Sequence, residues 1–580
     1  MTAPPIDTTA KSTPTPFSFK LSPCSITGTL QLAVAQSARA DCTNGGTTVT
    51  LAGNGASYLV VAEFASDAVP DDWYSYRLVT GSTASASLVP GQSRASASRL
   101  PSSMARPPVP GLLPPMRNQA AQLAFTRALR ARARTNLATG VWRAGSRALR
   151  SVTPSRSGAS AVPDVGSLRQ FVVLGNEAGT KWDTTSAKLA YAGSDVLIYI
   201  DTLAPANGFS PAQLQSFGQL FDQTLFPIDT AAFGSPSDID ANGRTIILMT
   251  PSVNKLVTAS QCQTQGYVGG FFDEEDLSGG AADPRSNHGE IFYSIVPDST
   301  GQLSCAHTVA GVEFDVPATF MHELQHLISF SQHVVIHGGQ PETGSLDEGL
   351  SIVAEELGSL HYEQQCPPPA CRTNPGQLFP DSSQGFVSSF LYDSYQYALL
   401  PDTASITLQS DADGGFSWRG GAWLLMRYLG DQMGTGVYKK MDQSTLTGVA
   451  NIAAATGQDF PTVFANFGIA LFADSMPGQP RSAAPAADRF TTRNLRQLWN
   501  RLYVTSGGAS DIPYANPLLV YGITSDTSLA IMDPGTTSFF RIDTPSGAST
   551  VSLQFAGAGG APLAAALHPQ LAIFRLPPGQ

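Results

Sequence analysis

From Phe17 to about Leu88, apolar and polar residues alternate in short runs: FSFKL, ITGTLQLAV, TTVTLAG, SYLVVAEF and YSYRLV. A period of two marks strands with one buried face, and several such runs between turn residues predict a small β-sandwich. The pattern changes at Gln170. RQFVVLG and SDVLIYID read as strands, TIILMT (245–250) as a buried one and GEIFYSIV (289–296) as another. Apolar residues then recur at spacings of three and four. Leu214, Phe217, Leu220, Phe221 and Leu225 share one face of a helix predicted over Pro211–Phe226, and further helices are predicted at 316–332, 345–361 and 421–433. From about residue 505 the alternation returns in LLVYGI, SLAIMD, SFFRID, STVSLQF and LAIFRL, which predicts a second sandwich. No repeat of fixed period is visible.

These patterns predict a multidomain α+β chain. The divisions expected are a disordered Thr/Pro-rich stretch at 1–16, an N-terminal β-sandwich at 17–90, a Ser/Pro-rich linker with a basic helical segment at 91–165, an α+β body at 166–480 and a C-terminal β-sandwich at 505–580.

Composition narrows the function classes. Of 580 residues 42% are hydrophobic and only 14% charged, with 54 Gly and 42 Pro. That balance favours a β- and loop-rich secreted protein over coiled coils or long charged helices. No apolar run is long enough for a transmembrane segment, and a net charge of −11 argues against nucleic acid as a partner. The first residues, MTAPPIDTTAKSTPTP, show no signal peptide, so the chain is either cytosolic or has lost its leader. Six cysteines fall into three local pairs, Cys24 with Cys42, Cys262 with Cys305 and Cys366 with Cys371. Paired by proximity they imply disulfides, an oxidising compartment and a secreted or periplasmic location. A monomer is expected.

Charge is unevenly spread. Between Trp73 and Pro163 stand 13 Arg, with no Lys, Asp or Glu. A charge run is usually a solvated connector, and that reading is taken here. A propeptide or strut lying across the acidic body, or a membrane-surface helix, are the alternatives.

The chemistry concentrates at His322-Glu323-Leu324-Gln325-His326. On a helix, positions i and i+4 share a face, so two imidazoles can hold one Zn²⁺ while Glu323 reaches the attacking water without ligating. Pro317 is expected as the first helical residue. A chance match of this motif in a chain with 8 His is on the order of one in a few hundred. A third ligand is needed. Ser329 and Gln332 stand where the long metzincin pattern needs Gly and His, and His333 is one residue out of register. Glu348, in SLDEGLSIVAEEL, is the better candidate. Ser345-x-x-Glu348 is also a capping box, however, in which Glu348 would bind the Ser345 amide instead. Glu355, seven residues on, shares its face and is a candidate partner for a ligating histidine, or else a solvated carboxylate.

HELQHLISF followed by LDEGLSIVAEEL resembles the hyicolysin family of secreted bacterial zinc metallopeptidases, in the gluzincin group. The preceding DIDANGRTIILMT and GEIFYSIVPD segments resemble it too, and the likeness covers about residues 168–435. It implies a zincin-like catalytic domain, zinc on His322, His326 and Glu348, catalytic Glu323 and a protein or peptide substrate. Asp347 stands where that family often has Asn. Arg419 stands where its later helix usually begins with Tyr; if that Tyr stabilises the oxyanion, this chain would use Arg419 or another donor. Among the remaining carboxylates and histidines, His337 and Glu342 sit in a Gly-rich loop, and Asp347 projects about 100° round the helix from Glu348. The strand near Glu290–Ile295 is expected to be an edge that pairs with substrate. A different class is also open: a secreted binding or adhesin module with a structural zinc.

Calcium is a second cofactor candidate. Asp238-Ile-Asp240-Ala-Asn242-Gly243 fits the start of a calcium loop, but the twelfth position is Met249 where an EF-hand needs Glu, so an Asx-rich turn is the alternative. Asp273-Glu-Glu-Asp276 is another candidate calcium cluster, with a solvated acidic loop the expected reading.

Overall fold

A computed structural model of the chain describes residues 22–23, 28–43, 48–69, 74–81, 120–138, 162–277, 283–374, 377–408, 416–523, 530–557 and 560–578. The chain is α+β, with three sheets and helices packed against them. The Thr/Pro-rich stretch 1–16 and most of the 91–165 segment lie outside the described residues. Within that segment the helix α1 (Ala120–Ala138) is described.

Six short strands open the chain: β1 (Ser22–Pro23), β2 (Thr29–Leu30), β3 (Ser37–Asp41), β4 (Thr48–Ala52), β5 (Ser57–Phe64) and β6 (Tyr74–Gly81). The central body follows with β7 (Leu168–Leu174), β8 (Trp182–Ala192), β9 (Val196–Asp201), β10 (Thr245–Met249), β11 (Gly270–Phe272) and β12 (Ile291–Ser294). Their order across the sheet is β11-β12-β10-β9-β8-β7. The strands β9, β10 and β12 run parallel, and every residue of β10 is buried, as its unbroken apolar run requires. The sequence placed the sheet edge at Glu290–Ile295. That strand, β12, is instead interior, and the edge is the antiparallel β11. Two aromatic residues after a Gly pair gave no alternation from which to read so short a strand.

Against this sheet pack α2 (Pro211–Leu220) and, after α3 (Phe226–Phe233), α4 (Val309–Phe330), while α3, α5 (Gly344–Gln365), α6 (Ser388–Leu399) and α7 (Phe416–Met433) pack on other helices. A capping box of Ser210 and Gln213, with Pro211 just inside, starts α2. Thr308 caps α4, so Pro317 lies inside that helix and not at its start. The carbonyl that Pro317 leaves without its amide partner belongs to Glu313, an exposed residue that water can reach.

The last strands are β13 (Val520–Gly522), β14 (Ala530–Met532), β15 (Thr536–Asp543), β16 (Thr550–Gly557) and β17 (Pro569–Arg575). The two sandwiches expected at 17–90 and 505–580 are one. One sheet runs β1-β3-β17-β5-β15-β13 and the other β14-β6-β16-β4-β2. The strand β5 is paired along its length by β15 on one side and β17 on the other. Alternation shows which face of a strand is buried, and says nothing about which strand lies beside it. Between the sheets Tyr58, Phe64, Tyr76, Phe540 and Phe555 form one buried core.

Two of the three expected disulfides are present, Cys262–Cys305 and Cys366–Cys371. The third involves Cys24, outside the described residues. No helix among the described residues is long and apolar enough to cross a membrane.

Candidate metal centre

The helix α4 places His322 and His326 on one face, one turn apart. Their Nε2 atoms lie 3.1 Å from each other. Glu348, in the first turn of α5, faces them with Oε2 3.7 Å from His322 Nε2 and Oε1 3.7 Å from His326 Nε2. One ligand atom from each of the three lies within 4.8 Å of the others. The capping alternative for Glu348 does not form. Thr343 precedes α5 without a side-chain cap bond, and the Ser345 hydroxyl donates to the Ile406 carbonyl instead.

The other imidazole nitrogens are taken from behind. His322 Nδ1 lies 2.8 Å from Glu355 Oε1, and His326 Nδ1 lies 3.0 Å from Asp347 Oδ2. An Nδ1 proton held on each carboxylate turns each Nε2 lone pair toward the shared point, where the Ser351 hydroxyl also lies 3.2 Å from His326 Nε2. Two imidazoles and a carboxylate, converging with their outer partners in place, suit a tetrahedral zinc with one open position.

The carboxyl of Glu348 is held well below the ordinary range. Burial alone would raise it, but Arg419, Arg130, His322 and His326 outweigh that effect. Arg419 Nε donates to Glu348 Oε2 at 3.0 Å, and its Nη1 lies 3.3 Å from Asp393. It therefore supports the Glu348 carboxylate from inside the protein. Glu323 behaves in the opposite way. Burial pushes it up to about 7, with Glu348 and Glu355 adding to the rise and His322 opposing it.

A cavity of about 460 Å³ opens over Glu323 and His326, lined on its far side by Phe271, Phe272 and α1. The edge strand β11 passes directly beside Glu323. A Cβ on Gly270 would lie 2.6 Å from Thr319 Cγ2 and 3.4 Å from Glu323 Cγ, so glycine is what lets helix and edge strand approach this closely.

His333 and Glu342, the weaker ligand candidates, are both buried and lie 3.8 Å apart, and neither belongs to the converging set of His322, His326 and Glu348. The 273–276 loop, expected to be solvated, is mostly buried and paired. Asp273 pairs with Arg132, Glu275 with Asn136 and Arg285, and Asp276 with the Tyr293 hydroxyl. Two contributors escaped the sequence reading, Arg130 and Gln122 of α1. Arg130 Nη2 donates to Asp347 at 2.7 Å and to Glu348 at 2.9 Å. The only signal for them was an acid-free arginine block set in an acidic chain.

No protein-family model matches the chain. It is 29% identical over 193 residues to the neutral metalloprotease ShpI of Staphylococcus hyicus. The matched stretch is 33% of this chain, which spans about 40% of that relative. The likeness supports a metallopeptidase family in general and does not single out the hyicolysin type.

Proposed function

We propose that residues 166–480 form the catalytic body of a secreted or periplasmic zinc-dependent endopeptidase. The observation that carries this reading is the convergence of His322, His326 and Glu348 beside a buried Glu323, with a cavity over Glu323 and His326 that reaches the sheet edge. The partial likeness to a neutral metalloprotease supports it. A structural zinc in a binding module would have no use for a raised, buried carboxylate next to the metal.

Zinc held by the three ligands would act as a Lewis acid, lowering the pKa of water and polarising the scissile carbonyl. A peptide in extended form adds to the β11 edge, which brings its backbone past Glu323. Glu323 takes a proton from the attacking water as oxygen adds to the carbonyl carbon. It passes that proton to the departing nitrogen as the C–N bond breaks. Glu323 is buried beside the three converging side chains, where one carboxylate can serve both halves of that transfer.

The test is zinc content measured together with casein cleavage. Glu323→Gln should keep one zinc per chain and the native circular dichroism spectrum, and lose at least about 100-fold of hydrolysis. A zinc-loaded variant that still cleaves at the wild-type rate refutes the mechanism.

A further inference from the structure

The geometry points to a second metal site, for calcium, at Asp238, Asp240 and Glu290. The loop between α3 and β10 turns through left-handed Ala241 and Gly243, and folds Asp238 Oδ1 onto the Gly243 amide at 2.9 Å. The loop has no acidic residue at its twelfth position. Glu290, just before β12, fills that role from elsewhere in the chain. It is 1% exposed. Its Oε1 accepts from Ser237 Oγ at 2.6 Å and from the Ile239 amide at 2.9 Å. Its Oε2 is buried with no hydrogen-bond partner. One carboxylate oxygen from each of the three residues lies within 4.8 Å of the others. Arg169 acts on Asp240 but leaves three carboxylates to one guanidinium. An all-oxygen set on a loop suits calcium, which accepts irregular geometry, better than magnesium or a softer metal. Ser237 Oγ also lies 3.1 Å from Ser331 Oγ, so the site would tie the loop to the end of the helix that carries the two histidines.

The test is calcium titration of full-length Glu323→Gln protein, which cannot digest itself, by calorimetry and thermal unfolding. One calcium should bind with Kd on the order of 10⁻⁴ M or tighter, and raise Tm. Asp238→Asn and Asp240→Asn should each weaken binding at least about 10-fold while zinc content stays at one. No heat and no Tm shift at ~10 mM calcium, or unchanged affinity in both variants, overturns the site.

A different observation, the placement of α1, carries a second inference, which rests on the peptidase reading above. Ala121, Phe125, Leu129 and Ala133 form a buried stripe at four-residue spacing. Phe125 packs edge-on against Phe271 of the edge strand, with ring centres 5.0 Å apart. Gln122 takes two backbone groups at that edge: its amide oxygen accepts from the Gly269 N–H and its nitrogen donates to the Gly270 carbonyl, both at 3.0 Å. These are groups an added peptide strand would need. Arg130 reaches Glu348, Asp347 and the Gly344 carbonyl. Its guanidinium therefore sits on the carboxylate that would otherwise serve a divalent cation. We infer that α1 is an intramolecular inhibitor that fills the substrate cleft and weakens the metal site until the chain is cut on both sides of it. Arginines stand on both sides, at Arg94, Arg99 and Arg117 before the helix and at Arg143, Arg147, Arg150 and Arg156 after it. Each cut consumes one water and yields one carboxylate and one amine. Cutting frees α1 alone, because β3 to β6 stay paired in the sandwich.

Two measurements on the full chain test this. Arg130→Ala should bind zinc at least about 10-fold more tightly than wild type, since a cation no longer competes for Glu348. Limited digestion with an arginine-specific endoproteinase should raise casein cleavage at least about 10-fold, and a synthetic Ala120–Ala138 peptide should reverse the gain. Intact and cut protein equally active, with zinc affinity unchanged in Arg130→Ala, overturns the inhibitory role and leaves the peptidase reading standing. Zinc-loaded protein that cleaves nothing in either form overturns the peptidase reading, and the inhibitory role with it.

Discussion

Each residue around the two histidines is held from two sides. Glu348 faces both Nε2 atoms while Arg419 donates to its Oε2 and Arg130 to its Oε1, and Asp347 and Glu355 hold the Nδ1 atoms. Removing the negative charge of Glu348 would take away a proposed ligand and one of the two carboxylates beside Arg419. Glu348→Gln should therefore lower zinc affinity about 10-fold or more. A residue that merely started the helix would cost near 1 kcal/mol of stability and leave zinc binding intact, so a zinc titration of the variant separates the two. Asp347→Asn and Glu355→Gln leave the ligands in place and loosen only their orientation. Each should lower affinity roughly 10- to 100-fold with the native spectrum retained, and unchanged affinity in both would mean the outer contacts orient nothing.

At the level of helices and strands, α3 contains a carboxyl in the wrong surroundings. Asp229 is fully buried, neither oxygen has a hydrogen-bond partner, and burial alone raises its pKa well above the usual range. The sign follows from linkage. The folded state keeps the proton, whereas the unfolded chain releases it above about pH 4, so this residue costs stability increasingly as pH rises from there toward its folded pKa. Asp229→Asn should be nearly neutral at pH 4 and more stable than wild type by at least ~1 kcal/mol at pH 8, read by urea unfolding at both values. A difference that does not grow with pH would show that the carboxyl has a partner. Strong periodicity made the site elements legible: the helices carrying His322 and Glu348 were expected at 316–332 and 345–361, and both exist. The second begins at Gly344, one residue from the expectation, and only the start of the first was missed. Thr308 offered a cap as good as Pro317 offered a stop, and local sequence does not rank the two. The edge strand β11 was missed because its identity comes from its neighbours, and Gly269 and Gly270 read as a turn.

For the whole molecule, the sequence showed strands at both ends of the chain and could not show that they interleave. Pairing partners such as Val60 and Phe540 carry no mark of each other, because backbone hydrogen bonds are the same for any residue. The sandwich also touches the metal centre. Ser345, in the first turn of α5, donates to the Ile406 carbonyl, the Ile406 amide bonds to Gly535, and Thr407 bonds to Ser66 at 2.7 Å. Truncation after Gly508 should therefore strip β5 of both neighbours and abolish folded protein, zinc binding included. Folded, zinc-binding protein from that truncation, judged by near-ultraviolet circular dichroism and metal content, would show that the body stands without the sandwich.

The interleaved ends also impose an order in time. Synthesis delivers β3 to β6 first, and these strands wait with open edges while the entire body emerges, since β15, β16 and β17 come last. Closure then depends on contacts at very long sequence separation, the slowest kind to form. A nascent or prematurely terminated chain thus exposes hydrophobic strands that a quality-control protease can seize. The first strands can be buried only once β15, β16 and β17 have been made.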